Sequence, residues 1–238
     1  MPTSPEGFIK RTMHLQADLV EQGRRVQSML ESAFESIFEC NIERASIVVA
    51  QDDIIDAADV QIERACVDLL TDATRQGAEL SPGQLRSVLM IAKINNEMER
   101  VADVACDLAD MARQITISPV RVPMPDTFRV MANSVIGILR DVNSCVMRND
   151  PHLANIVLQS QHAVTAFKDA ILRDAEEKIA RGVMPVDHAF RLHEIATQCE
   201  LIADHCTNIA EQVIYLTTGA IVRHTQTSWV QLPRPSSA

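Results

Sequence analysis

Glu99-Arg-Val-Ala-Asp103-Val-Ala-Cys-Asp107-Leu-Ala-Asp110 and Glu200-Leu-Ile-Ala-Asp204-His-Cys-Thr-Asn208-Ile-Ala-Glu211 place acidic or polar residues at the same spacing of four, four and three, 101 positions apart. Ile94 and Ile195, Ala102 and Ala203, and Ala109 and Ala210 are identical at that offset. The segment is one structural unit used twice, and an internal repeat outranks any single motif as a guide to architecture. At about 100° per residue, Glu99, Asp103, Asp107 and Asp110 fit one helix face within an arc of about 80°. Leu85, Ile94, Val101, Ala105, Leu108 and Ala112 centre on the opposite side, as an amphipathic helix requires.

Working outward, prolines and capping residues divide the chain. The first helix is expected from about Phe8 to Glu39, and Asn41 caps a second that runs to about Asp72. Ser81-Pro82 combines an N-cap with a first-turn proline and opens the third, to about Ile115. Pro119, Pro123 and Pro125 then fall within seven residues, and each lacks the amide proton that a helix interior uses. Asp126 is expected to cap a fourth helix to about Met147, Asp150-Pro151 to start a fifth, and Pro185 with Asp187 to start a sixth that ends at Gly219. Seven glycines among abundant Ala, Leu, Glu, Arg, Ile and Met favour helix over strand. The expected fold is all-α, two tandem three-helix bundles of six long antiparallel helices: residues 1–117, a proline-rich hinge at 118–125, residues 126–224, and a flexible tail at 225–238.

Composition narrows the function. A net charge of −10 opposes a polyanionic partner, and one Trp and one Tyr offer little surface for stacking bases, so nucleic acid is excluded. No signal peptide is visible at the polar N-terminus. The longest apolar runs, Ile47–Ala50 and Val213–Leu216, fall far short of the roughly 20 residues that span a bilayer. Cys40, Cys66, Cys106, Cys145, Cys199 and Cys206 form no CxxC pair, which suits a reducing compartment and buried thiols. Met90, Met98, Met111 and Met147 are expected as core filler.

The acidic face reads in two ways. Charged stripes are commonest on solvated surfaces. Such surfaces usually alternate sign, because Glu/Lys pairs at i,i+4 stabilise by about 0.2–0.5 kcal/mol and like pairs cost similar amounts. The stripe of the third helix contains no cation, and Asp52, Asp56, Asp59 and Glu63 form a second one within about 60° on the second helix. Two such stripes side by side repel unless a cation lies between them. Carboxylate oxygens suit hard ions, among them Mg²⁺, Mn²⁺, Ca²⁺ and iron.

Pro82-Gly-Gln-Leu85-Arg86, Glu99-Arg100-Val-Ala-Asp103, the whole run Glu200 to Gly219, and Val222-Arg223-His224 together resemble the PhoU family, over about Phe8 to His224. The second block is the specific one; an ExxxD motif alone is weak. The resemblance implies two three-helix bundles with an ExxxD motif on each third helix. It also implies a cytoplasmic negative regulator of phosphate uptake and phosphate-starvation signalling, not an enzyme. Expected partners are a phosphate ABC transporter and a sensor histidine kinase at the inner membrane face, together with a second copy of the chain in a homodimer. Expected cofactors are divalent or trivalent metal ions (Fe, Zn, Mg or Mn) on the acidic faces. The first site would comprise Glu99 and Asp103 with Asp56 and Asp59, and Asp52, Glu63 and Asp107 as further ligands. The second would comprise Glu200 and Asp204, with Asn208 and Glu211 as additional candidates.

The second half departs from this pattern. Matching Ile55 to Val164 puts Gln161, Thr165 and Lys168 where the first half has Asp52, Asp56 and Asp59. Metal binding is therefore expected in the first half and not, or only weakly, in the second, with Lys168 near Glu200 or Asp204 partly replacing the ion; the neighbouring Asp169 is the residue that would rescue the site. His205 is expected at the solvent or the core edge, because one residue's spacing turns it about 100° from Asp204. Alternative functions are an adaptor of a low-affinity phosphate permease and a metal-free helical scaffold docking a basic partner. A di-metal carboxylate enzyme ranks lower, since it needs Glu-x-x-His on two helices and no Glu here has His three residues later.

Overall fold

A computed structural model of the chain describes residues 5–118, 123–224 and 229–232. Among these residues six helices follow one another: α1 Pro5–Glu39, α2 Ile42–Arg75, α3 Pro82–Ile117, α4 Asp126–Arg148, α5 Pro151–Ala180 and α6 Val186–Thr218. Their ends obey local chemistry. Asn41 accepts the Arg44 amide at the start of α2, and Ser81 with Gln84 makes a reciprocal capping box on α3. Asp150 takes two amides at the start of α5, and Gly219 ends α6 at φ 69°, a left-handed turn that suits glycine. Asp126 differs from expectation. Pro125 occupies the cap position with an extended backbone, and Asp126 is the first helical residue, with no side-chain cap bond.

Helices α1, α2 and α3 pack on one another, and α4, α5 and α6 do the same. The two bundles then join along α3 with α6 and α1 with α4, leaving α2 and α5 as the outer helices. One continuous apolar core results, from Phe8 and Leu19 through Met98 and Leu108 to Val135, Ile195 and Val213. At the α1–α4 contact, the Phe128 ring lies 6.3 Å from Phe34 and 5.4 Å from Phe38. The Gly23 carbonyl accepts Asn143 Nδ2 at 2.9 Å. A Cβ on Gly23 would stand 2.6 Å from Asn143 Oδ1, so glycine sets how closely α1 and α4 approach.

Several sequence expectations change. Leu85 is 47% exposed because it lies in the first turn of α3, ahead of the first buried residue, Val88. Met147, near the end of α4, is 45% exposed, whereas Met90 and Met98 are buried. In the tail, Trp229–Leu232 (β2) pairs antiparallel with Ile221–His224 (β1). Residues 119–122 of the hinge, with 225–228 and 233–238 of the tail, lie outside the described residues. All six cysteines are free; Cys66, Cys145, Cys199 and Cys206 are buried and Cys40 and Cys106 half-buried.

Candidate metal centre

The repeat builds two equivalent seams, one where α2 lies against α3 and one where α5 lies against α6. Ile55 and Val164, buried at 1% and 0%, anchor the outer helices at corresponding points. Helical periodicity then brings Asp52 of α2 toward Asp103 of α3, and Asp56 and Asp59 toward Glu99, while Glu63 is exposed and acts on Asp59 of its own helix.

In the first seam the acids face one another. The Glu99 carboxyl is pushed up to about 7, first by burial and then by the charges of Asp103, Asp59 and Asp56. Asp59 is raised by burial and by Glu63 and Asp56, against a hydrogen bond from Asn95; Asn95 Nδ2 stands 2.6 Å from Asp59 Oδ1. Asp52 is raised by burial, then by Asp56, with the Cys106 thiol bonded to it and Asp103 nearby. Asp52 Oδ1 is buried and accepts no hydrogen bond. Oxygen donors of this number and charge fit a hard cation. Among the described residues, no three side chains of His, Cys, Asp or Glu close around one point.

Raised carboxyls set a pH dependence. Glu99 keeps its proton in the folded chain between its ordinary 4.5 and about 7, where the unfolded chain has lost it. Folding takes up protons there, so this contribution to stability is lost as pH rises from about 4.5 to about 7. His188, 5% exposed, works oppositely below its ordinary 6.5, because burial and the charges of Arg191 and Lys178 disfavour its protonation. The Glu99 contribution is therefore read as a difference. In urea denaturation with chelator present, the stability of Glu99→Gln minus that of wild type is expected to grow in the variant's favour up to about pH 7 and then to level.

In the second seam the acids are already paired. Lys168 Nζ lies 2.7 Å from Glu200 Oε2, Thr165 Oγ1 donates to Glu200 Oε1 at 2.8 Å, and Gln161 Nε2 donates to Asp204 Oδ1. Burial would raise the Glu200 carboxyl, but the bonds from Lys168 and Thr165 and the Lys168 charge hold it below its usual range. Asp169 is exposed on α5.

Other stripe residues serve elsewhere. Asp107, expected as a metal ligand, accepts Gln198 Nε2 of α6 at 3.1 Å. Asp110 is paired with Arg113 at 2.7 Å, so the stripe does have a cation three residues along. Asn208 donates to Glu97 at 3.1 Å. Glu211, 7% exposed, pairs with Arg223, so the lower half of the α6 stripe turns into the protein rather than out. His205 is likewise buried at 7%, with Nδ1 2.8 Å from Glu97 Oε2; the packing of α3 against α6 covers it.

Glu97 was not singled out by sequence reasoning. Its signal lies in the repeat offset, which pairs Glu97 with Gln198 and Asp107 with Asn208. In the structure Glu97 meets Asn208 and Gln198 meets Asp107, so the α3–α6 crossing relates the bundles by an internal pseudo-two-fold, in which residue i meets j and the counterpart of j meets the counterpart of i.

A family model for the PhoU domain matches residues 19–112 and again 128–213. A phosphate-specific transport system accessory protein PhoU homolog from Thermotoga maritima is 26% identical over 214 residues, covering 89% of each chain. The homolog of Zymomonas mobilis is 29% identical over 209 residues, covering 86% of this chain and 84% of its own. Crystal structures of PhoU from Streptococcus pneumoniae and Pseudomonas aeruginosa superpose with TM-scores of 0.82 at 19% and 23% identity; they cover 91% and 89% of this chain and 100% and 99% of their own. At that identity the superposition speaks for the fold, a six-helix arrangement in two bundles.

Proposed function

The chain belongs to the PhoU family, and from that premise we propose that it is an accessory protein of phosphate-specific transport that represses phosphate uptake and starvation signalling when phosphate is plentiful. It acts as a regulator rather than a catalyst, at the cytoplasmic face of the membrane, between a phosphate ABC transporter and a sensor histidine kinase, and as a homodimer. No described helix is long and apolar enough to cross a membrane.

The regulator carries a cation on the α2–α3 seam. Glu99 and Asp103 with Asp52, Asp56 and Asp59 would hold it, and Glu63, which acts on Asp59, would contribute from the edge. The ion would supply positive charge and oxygen coordination that offset the repulsion among these acids. The observation that carries this reading is the opposition of like charges in a partly buried seam, with Asp52 Oδ1 buried and unpartnered. Asp107 is left out of the ligand set because Gln198 holds it. Zinc is the weakest of the four candidate metals, since the set is all oxygen and zinc takes nitrogen and sulfur ligands readily.

Deleting the chromosomal copy tests the regulatory role. Phosphate-starvation genes are expected to be expressed in phosphate-replete medium, and the intact chain to restore repression. Unchanged repression in the deletion strain would contradict the proposal.

A further inference from the structure

The pseudo-symmetry permits a residue-by-residue comparison of the two seams. In the first, the groups acting across the gap are Asp52 on Asp103, and Asp56 and Asp59 on Glu99. In the second, the same positions bring Gln161 to Asp204, and Thr165 and Lys168 to Glu200. Every like-charge opposition has become a donor facing an acceptor. Three independent positions changed in the one direction that removes the need for an ion.

Lys168 is the member that supplies charge. Its ammonium is a compact cation with three donors on a flexible stem, and here the Lys168 and Glu200 side chains are only 18% and 26% exposed. Solvent and salt screen such a pair less than one on the open surface. Thr165 holds the other Glu200 oxygen, so both oxygens of that carboxylate are occupied. A metal ion entering there would have to displace the ammonium and the hydroxyl and would meet a positive charge on approach.

We propose that Lys168 is a built-in cation that closes the α5–α6 seam, so that this half of the chain takes no metal ion and cation binding is confined to the α2–α3 seam. The confinement rests on the metal reading of the first seam; the closure by Lys168 stands without it. The consequence is asymmetry: one bundle is braced permanently by its own side chain, and the other is braced only when the ion is present.

The test uses the full chain, stripped with chelator, with Mn²⁺ as the probe. Free Mn²⁺ is counted by electron paramagnetic resonance, and thermal midpoints are measured with and without excess Mn²⁺. Glu99→Gln with Asp103→Asn provides a background in which the first seam is silent. In that background the chain is expected to bind no Mn²⁺. Adding Lys168→Met should lower its midpoint by roughly 3–6 °C, and Mn²⁺ should recover the loss. Converting Gln161, Thr165 and Lys168 all to Asp should create Mn²⁺ binding that Glu200→Gln with Asp204→Asn then abolishes. Mn²⁺ binding in the silent background that disappears with Glu200→Gln and Asp204→Asn would overturn the proposal. So would a Lys168→Met chain that neither loses stability nor responds to Mn²⁺. If wild type binds no Mn²⁺ while the three-Asp variant does, the metal reading of the first seam fails and the role of Lys168 survives.

Discussion

Glu99→Gln is expected to reverse its effect on stability with the presence of metal: the variant melts higher than wild type in chelator and lower than wild type in excess Mn²⁺. Glu99 sits where α2 and α3 bring Asp56, Asp59 and Asp103 together, and their charges with burial push its carboxyl up to about 7. At pH 8 the ionised group opposes folding of the metal-free chain. The i,i+4 pair with Asp103 alone is worth about 0.2–0.5 kcal/mol, so neutralising Glu99 should raise the midpoint by about 0.4–2 °C. With a cation the same carboxylate becomes a ligand. An ion at 100 times its dissociation constant stabilises by about 2.7 kcal/mol, or roughly 5–11 °C for a chain of this size. The variant should lose most of that gain. Equal Mn²⁺-induced shifts in the two proteins would remove Glu99 from the ligand set.

Phe128→Ala should be the most damaging single substitution at the joint between the bundles. Phe128 is fully buried in the first turn of α4, edge-on to Phe34 and tilted against Phe38, with the Arg129 guanidinium 4.0 Å over the Phe38 ring. Truncating a buried Phe costs about 3–5 kcal/mol, because transfer energy is lost and a cavity is left. At about 2–4 °C per kcal/mol, the midpoint should fall by roughly 6–20 °C. Thermal denaturation followed by circular dichroism in chelator measures it. A loss below about 1 kcal/mol would mean that the α1–α4 contact adds little to the common core. The Mn²⁺ stoichiometry should be unchanged, since Phe128 lies in another contact from the acidic seam.

Helix number, order and most ends were legible in the sequence because they depend on local chemistry. Asn41, the Ser81–Gln84 box, Asp150 and Gly219 act within one turn of where they stand. Asp126 misled because an Asp is a good cap and equally a good first-turn residue, where it complements the helix dipole; the extended backbone of Pro125 decides between them. The substitution of Gln161, Thr165 and Lys168 for three acids was legible too, once Ile55 is matched to Val164, a spacing of 109 beside the 101 that relates α3 to α6.

What periodicity does not carry is the identity of the neighbour. The stripe on α3 records one face of a helix, but two neighbours share it: α2 at Glu99 and Asp103, and α6 at Asp107. Spacing alone therefore assigned Asp107 and Asn208 to the metal faces, when both bridge the bundle crossing. For His205, spacing leaves solvent and core edge both open, and α6 packing on α3 decides for a buried place, because the helix that covers it comes from the other half of the chain. Leu85 shows the complementary failure, an apolar residue on the right face but beyond the end of the packed region.

The two halves thus share a backbone plan and differ in how they neutralise their acids. Crystals of the chain grown without metal and soaked in Mn²⁺, with anomalous scattering recorded at the manganese edge, test that difference most directly. The account predicts a peak in the α2–α3 seam against Glu99 and Asp103, and none beside Glu200 and Asp204, where the Lys168 ammonium stays in place. A manganese peak beside Glu200 with Lys168 displaced, or an empty α2–α3 seam in soaked crystals, would contradict it.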